Sequence, residues 1–175
     1  MRRLLLFRHA KAERAIAGTP DRDRGLIERG RKDAGKIGAY MASHHLIPDR
    51  VLLSPAVRCQ ETWKYASNAM KPAPAAMSVE KLYDATPHAI LAAIKDAPVA
   101  AHALLVCGHN PGLHELAQML IASGDVEARE RLNEKLPTSG LVIVEFAFDD
   151  WGRLHPLSGR LERFVSPKSL EAAAN

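Results

Sequence analysis

Short, nearly uninterrupted apolar runs recur along this chain with room for a helix between most of them. They are RLLLF at 3–7, RVLL at 50–53, MSVEKLY at 77–83, ALLVC at 103–107 and LVIVEFAF at 141–148. Runs this short and this apolar suit strands covered on both faces. The segments between them carry helix signals. A long helical pattern extends from about Leu26 to His45. Ser54-Pro55 offers a hydroxyl N-cap followed by proline at the first helical position, which predicts a helix from 55 to about 70. Thr86-Pro87 opens another through HAILAAIKDA, and Leu113, Leu116, Ala117 and Leu120 mark a fourth. Strand–helix alternation repeated in this way predicts an α/β three-layer sandwich, a mostly parallel sheet flanked by helices.

The 175 residues favour one core, so residues 1–175 read as a single domain. The last ten, SPKSLEAAAN at 166–175, are polar and small and read as a frayed tail. The net charge of +4 comes from interleaved acids and bases, as in RERLNEK, with no long basic run. That argues against nucleic acid as a partner and suits a small anionic group. Cys59 and Cys107 each lie in an apolar segment, without a CxxC pair, and read as buried free thiols. The opening MRRLLLF has the charged front of a signal peptide, but Arg8 and His9 end its apolar run far too early. No stretch is long enough to span a membrane, so the cytoplasm is the expected location.

In open α/β sheets, ligands bind beyond the carboxyl ends of the strands. The first run ends in Arg8-His9-Ala10-Lys11. The second ends at Ser54, with Arg58 in the first turn of the helix that follows. The third ends at Tyr83-Asp84, and the fourth at Gly108-His109-Asn110. Two histidines and two arginines are therefore expected at one rim. Arginine presents a planar fork of donors matched to phosphate oxygens and stays charged at physiological pH. Two of them can neutralise a dianion and the charge that develops in phosphoryl transfer. A histidine between such cations is held neutral and can attack phosphorus through a ring nitrogen. With arginine and histidine supplying the positive charge, neither a metal nor another cofactor is expected.

Arg8-His9-Ala10 resembles the Arg-His-Gly signature of the histidine phosphatase superfamily, with alanine in the glycine position. Ser54-Pro55-Ala56-Val57-Arg58, followed by Glu61-Thr62, is similar to that superfamily's second motif, and Gly108-His109-Asn110-Pro111 to its third. The chain's size, LYDA after the third run and LPTSGLVIVEF near the end are similar to the SixA-type phosphohistidine phosphatases. The resemblance covers roughly residues 2 to 167. It implies the phosphoglycerate mutase-like fold, with His9 as the nucleophile that becomes phosphorylated. Arg8, Arg58 and His109 would bind the phosphoryl group, with Asn110 and Lys11 as further substrate-binding candidates. The expected partner is a phosphorylated protein, such as a histidine-phosphotransfer domain, or else a small phosphorylated substrate. A non-catalytic phosphate-binding module is the alternative from another class. The glutamate that the mutase-like branch offers as proton donor has no clear counterpart, and Asp84 and Glu80 are the candidates.

Other patterns fail on context. Gly30 to Lys36 spells GxxxxGK, but Ile37 stands where a P-loop needs Ser or Thr, within a helical pattern. Asp21-Arg22-Asp23 has no apolar strand before it and reads as a solvated loop, with Asp23-Arg24 bracing the rim at most. His109 and His114 are five apart and share no helix face, so zinc is not expected.

Overall fold

Leu4, Leu5, Leu6 and Phe7 of strand β1 (Arg2–Arg8) are all without solvent exposure, because both faces of the sheet are covered. Leu4 and Leu6 join Leu104, Val106, Val142 and Val144 in one core. Leu5 and Phe7 point the other way, to Leu105, Cys107, Leu141 and Ile143. Two-residue alternation splits the apolar run between two cores, which makes the molecule three layers thick.

The computed structural model describes residues 1–174. After β1 come α1 (Glu28–Ser43), β2 (Arg50–Leu53), α2 (Val57–Ser67), β3 (Ala76–Ser78) and α3 (Pro87–Lys95). Then follow β4 (Ala103–Gly108), α4 (Gly112–Leu120), β5 (Ile121–Gly124), α5 (Val126–Glu134), β6 (Leu141–Phe146), β7 (Gly159–Val165) and α6 (Pro167–Ala174). The strands form one sheet in the order β3-β2-β4-β1-β6-β7-β5. β3, β2, β4 and β1 run parallel, as do β5 and β7, while β6 is antiparallel to both β1 and β7. The α/β sandwich with a mostly parallel sheet is thus the observed fold. Among the described residues, no helix is long and apolar enough to cross a membrane.

Several local expectations need correction. The third strand stops at Ser78 and does not reach Tyr83. The Val79 N–H donates to the Leu53 carbonyl at 2.8 Å, and the chain then winds into a 3₁₀ turn, Glu80–Leu82, that buries Leu82. Thr86 caps α3 as expected, accepting from the Ala89 N–H at 3.1 Å. Ser54 does not cap α2: the helix starts at Val57, and the Ser54 hydroxyl is turned toward a histidine described below. The 166–175 segment is no frayed tail over its described part. Ser166 and Ser169 exchange side-chain and backbone hydrogen bonds at 3.2 and 2.9 Å, a reciprocal cap around Pro167 that starts α6. Leu170 packs on the core and Glu171 pairs with Lys36 at 3.2 Å; residue 175 lies outside the described residues.

Helices α1 and α2 touch at Gly38. A Cβ there would sit 1.9 Å from the Ala66 carbonyl oxygen, well inside contact distance, so the helices approach only because glycine has no side chain. Gly38→Ala is expected to cost about 2 kcal/mol through overpacking, which lowers the thermal midpoint by roughly 4–8 °C for a domain of this size. Calorimetry at neutral pH checks it; an unchanged or raised midpoint contradicts this packing.

Candidate active site

Parallel pairing brings the site together. Arg8 lies opposite Gly108 in the β1–β4 register, so His9 and His109 are the next residues on adjacent strands. The His9 N–H extends the ladder by donating to the Gly108 carbonyl at 3.1 Å. Leu53 lies opposite Cys107 on the other side of β4, so Ser54 leaves the sheet beside His109. Arg58, in the first turn of α2, reaches the same rim and is only 4% exposed.

The two imidazoles face each other with ring centroids 5.4 Å apart, tilted by 57°. His9 Nδ1 lies 2.8 Å from the Ala10 carbonyl oxygen. A carbonyl can only accept, so Nδ1 carries the proton and the lone pair of the neutral ring is at Nε2. Burial lowers the His9 pKa to about 3, against the Ala10 carbonyl, with His109, Arg58 and Arg8 adding electrostatic repulsion. At neutral pH Nε2 is therefore a free, unprotonated nitrogen. Arg58 Nη2 is 3.3 Å from His109 Nδ1; a guanidinium can only donate, so the His109 proton lies on Nε2 and goes to Ser54 Oγ at 2.7 Å.

Both guanidiniums are held by one edge. Arg8 Nη1 donates to the Leu136 carbonyl at 3.0 Å, and Asn110 Nδ2 donates to the same oxygen at 2.9 Å. Arg58 Nη1 donates to the Asp21 carbonyl at 2.8 Å, and Nη2 to the Asp21 carboxylate at 3.0 Å. Among the described residues, Arg8 Nε, Arg58 Nε, Asn110 Oδ1 and Ser139 Oγ are buried with no hydrogen-bond partner. Orphaned buried donors of two cationic groups are costly unless an anion satisfies them.

The structure thus brings together Arg8, His9, Arg58, His109 and Asn110, while the three other expected residues are exposed and make no hydrogen bond to these groups among the described residues. Lys11 is exposed and lines an adjoining groove. Glu80 is exposed and forms a two-point ion pair with Arg22 at 2.6 and 2.9 Å, which lowers its pKa. Asp84 is exposed in left-handed backbone, φ 46°. No cluster of three or more His, Cys, Asp or Glu side chains among the described residues could hold a metal ion.

Sequence reading missed Asp21, Tyr83, Thr62 and Ser139. Asp21 is no freely solvated loop residue. The Tyr83 hydroxyl, Arg24 and Arg58 all donate to its carboxylate, and these contacts, Tyr83 first, hold its pKa far below the ordinary carboxylate range. Tyr83 in turn stands edge-on to His109, centroids 5.5 Å apart. Thr62 Oγ1 accepts from the Ala10 N–H at 2.9 Å and donates to the Arg58 carbonyl at 2.6 Å, tying the nucleophile segment to α2. The Ser139 N–H donates to the His9 carbonyl at 3.1 Å. The Glu61-Thr62 pair after Arg58 was the available signal for Thr62.

Residues 4–83 match the model of the histidine phosphatase superfamily, branch 1. Over 164 residues the chain is 34% identical to Rv1276c, an uncharacterised Mycobacterium tuberculosis protein, covering 93% of this chain and all of that one. The chain belongs to the histidine phosphatase superfamily. Its fold matches that of a candidate phosphohistidine phosphatase SixA from Agrobacterium tumefaciens, with TM-score 0.80, 29% identity and coverage of 95% and 98% of the two chains. The protein histidine phosphatase SixA solved with tungstate shares the fold at TM-score 0.74 and 20% identity, covering 96% of this chain and 99% of that one. This histidine phosphatase is accordingly an enzyme, a hydrolase of the SixA type that works through histidine.

Proposed function

We propose that this histidine phosphatase removes the phosphoryl group from phosphohistidine in a protein, with His9 as nucleophile. The supporting observation is the fixed tautomer of His9, its proton on Nδ1 and its lone pair on Nε2. Nε2 attacks phosphorus, and the P–N bond to the substrate histidine breaks. That histidine leaves as neutral imidazole, keeping the proton on its distal nitrogen. Phospho-His9 then has the same form as the substrate had, an N–H on one nitrogen and phosphorus on the other. Transfer between two such rings is symmetric and needs no added acid. Water next attacks phosphorus, the P–Nε2 bond breaks, and dihydrogen phosphate leaves with both protons of the water while His9 returns to its starting form. Arg8 and Arg58 bind the phosphoryl oxygens through the donors that Leu136, Asp21 and His109 leave free, and His109 backs Arg58 by accepting from its Nη2.

The carboxylates support this substrate over a phosphomonoester, whose alkoxide leaving group calls for a proton donor. Asp21 and Glu80 are held ionised by their partners, so neither is a ready acid at neutral pH. The comparison to make is kcat/KM on a phosphorylated histidine-phosphotransfer domain against a panel of small phosphomonoesters. A preference of at least about a hundredfold for the phosphohistidine protein is expected, in keeping with the kcat/KM span of enzymes. Equal or better turnover of a monoester would overturn the substrate assignment and leave the His9 chemistry standing.

A further inference from the structure

A groove of about 500 Å³ adjoins the site, and its walls carry Lys11, Arg29, Arg131, Lys135 and Lys168. Two carboxylates, Asp33 and Glu134, share the lining, so five positive charges face two negative ones. The cations come from separate places in the chain: the segment after His9, α1, α5 and its end, and α6. All five are exposed.

The groove shares a wall with the catalytic rim. Lys11 is two residues beyond His9, and Lys135 precedes Leu136, whose carbonyl holds both Arg8 and Asn110. Pro137 and Thr138 line the groove, and the next residue, Ser139, is bonded to the His9 carbonyl. A molecule lying in this groove therefore reaches the phosphoryl pocket along residues 135–139.

On the reading that the substrate is a phosphohistidine protein, we infer that this groove docks an acidic face of that protein beside its phosphorylated histidine. The character of the groove favours a protein face over a second phosphate on a small substrate. A small anion is held by buried, convergent donors, and these cations are exposed and spread over several elements. Such a field steers a large charged partner and fixes its orientation. Arg131 lies over the half-buried Phe164 ring at 5.2 Å, and the half-buried Pro137 adds apolar surface. An acidic helix with a few apolar side chains meets both requirements.

The test uses the full chain and the triple variant Arg131→Glu, Lys135→Glu, Lys168→Glu. The probes are a phosphorylated histidine-phosphotransfer domain of net negative charge, the same domain with its acidic face converted to amides, and para-nitrophenyl phosphate. The wild-type enzyme is expected to favour the acidic domain over the amide form at least about tenfold at low salt, a preference that fades near about 0.5 M salt. The triple variant is expected to lose that preference while hydrolysing the aryl phosphate within about twofold of wild type, which also shows that it folds. The milder variant with serine at the same positions should fall between. Equal turnover of the acidic domain by wild type and both variants overturns the docking surface and leaves the substrate reading intact. No turnover of either domain by wild type overturns the substrate reading, and the docking surface with it.

Discussion

Replacing His9 with alanine is expected to lower kcat on every phosphorylated substrate by about four orders of magnitude or more, the scale seen when a covalent nucleophile is removed. Rapid quenching of the wild-type enzyme should trap a phosphoenzyme that is labile in acid and stable in alkali, as a phosphoramidate is, and the variant should trap none. Full activity in His9→Ala would sink the mechanism. The same residue sets an acid dependence whose sign follows from its environment. In the folded protein, burial and the nearby cations lower the His9 pKa from 6.5 to about 3. Above pH 6.5 the ring is neutral in both states and costs nothing. As pH falls from 6.5 toward 3, the unfolded chain takes up a proton that the folded one refuses, so stability is lost across that window. At pH 4.5 the loss is about 3 kcal/mol, two pH units below the unfolded value at 1.36 kcal/mol each. His9→Gln, which cannot take the proton, should escape it, so the variant's stability relative to wild type rises by that amount between pH 7.5 and 4.5. Denaturant melts at the two pH values measure the difference, and parallel losses would refute a half-buried His9 held neutral.

The parts legible in the sequence are those where local pattern and tertiary demand agree. Leu4–Phe7 and Leu104–Cys107 are buried on both faces, so their unbroken apolar runs identified them as central strands, and the residues just past their ends, His9 and His109, fell on the catalytic rim. Strand β7 was missed because it lies nearer the sheet edge, and its buried Gly159, Leu161 and Val165 are interleaved with Arg160, Glu162 and Arg163. Helix α5 buries only Leu132, so its sequence carries almost no apolar stripe. Ser54 illustrates a conflict between levels: locally Ser-Pro is a strong cap signal, but the hydroxyl oxygen accepts from His109 and from the Ala56 N–H ahead of the helix, which begins three residues on. Asp21 could not have been read as part of the site, because its partners Arg58 and Tyr83 lie 37 and 62 residues away and no periodicity links a surface turn to them.

Arg58→Ala is expected to reduce kcat/KM by about a thousandfold, the range found when a preorganised donor to developing charge or an arginine on a transferring phosphoryl group is lost. Arg58→Lys should recover little of it, because a single ammonium cannot bind Asp21 with one edge and phosphoryl oxygens with the other. Asp21 grips Arg58 at two points and also receives the Tyr83 hydroxyl, so it acts on the phosphoryl group through the guanidinium. Asp21→Asn is accordingly expected to cost about tenfold in kcat/KM, since only the charge-assisted bond weakens while the backbone carbonyl still accepts from Nη1. A double-mutant cycle separates positioning from an independent role. If Asp21 works through Arg58, Asp21→Asn changes nothing further in the Arg58→Ala background. If the tenfold loss persists there, Asp21 acts on the substrate or on His109 by another route, and the view that it serves to orient Arg58 is wrong.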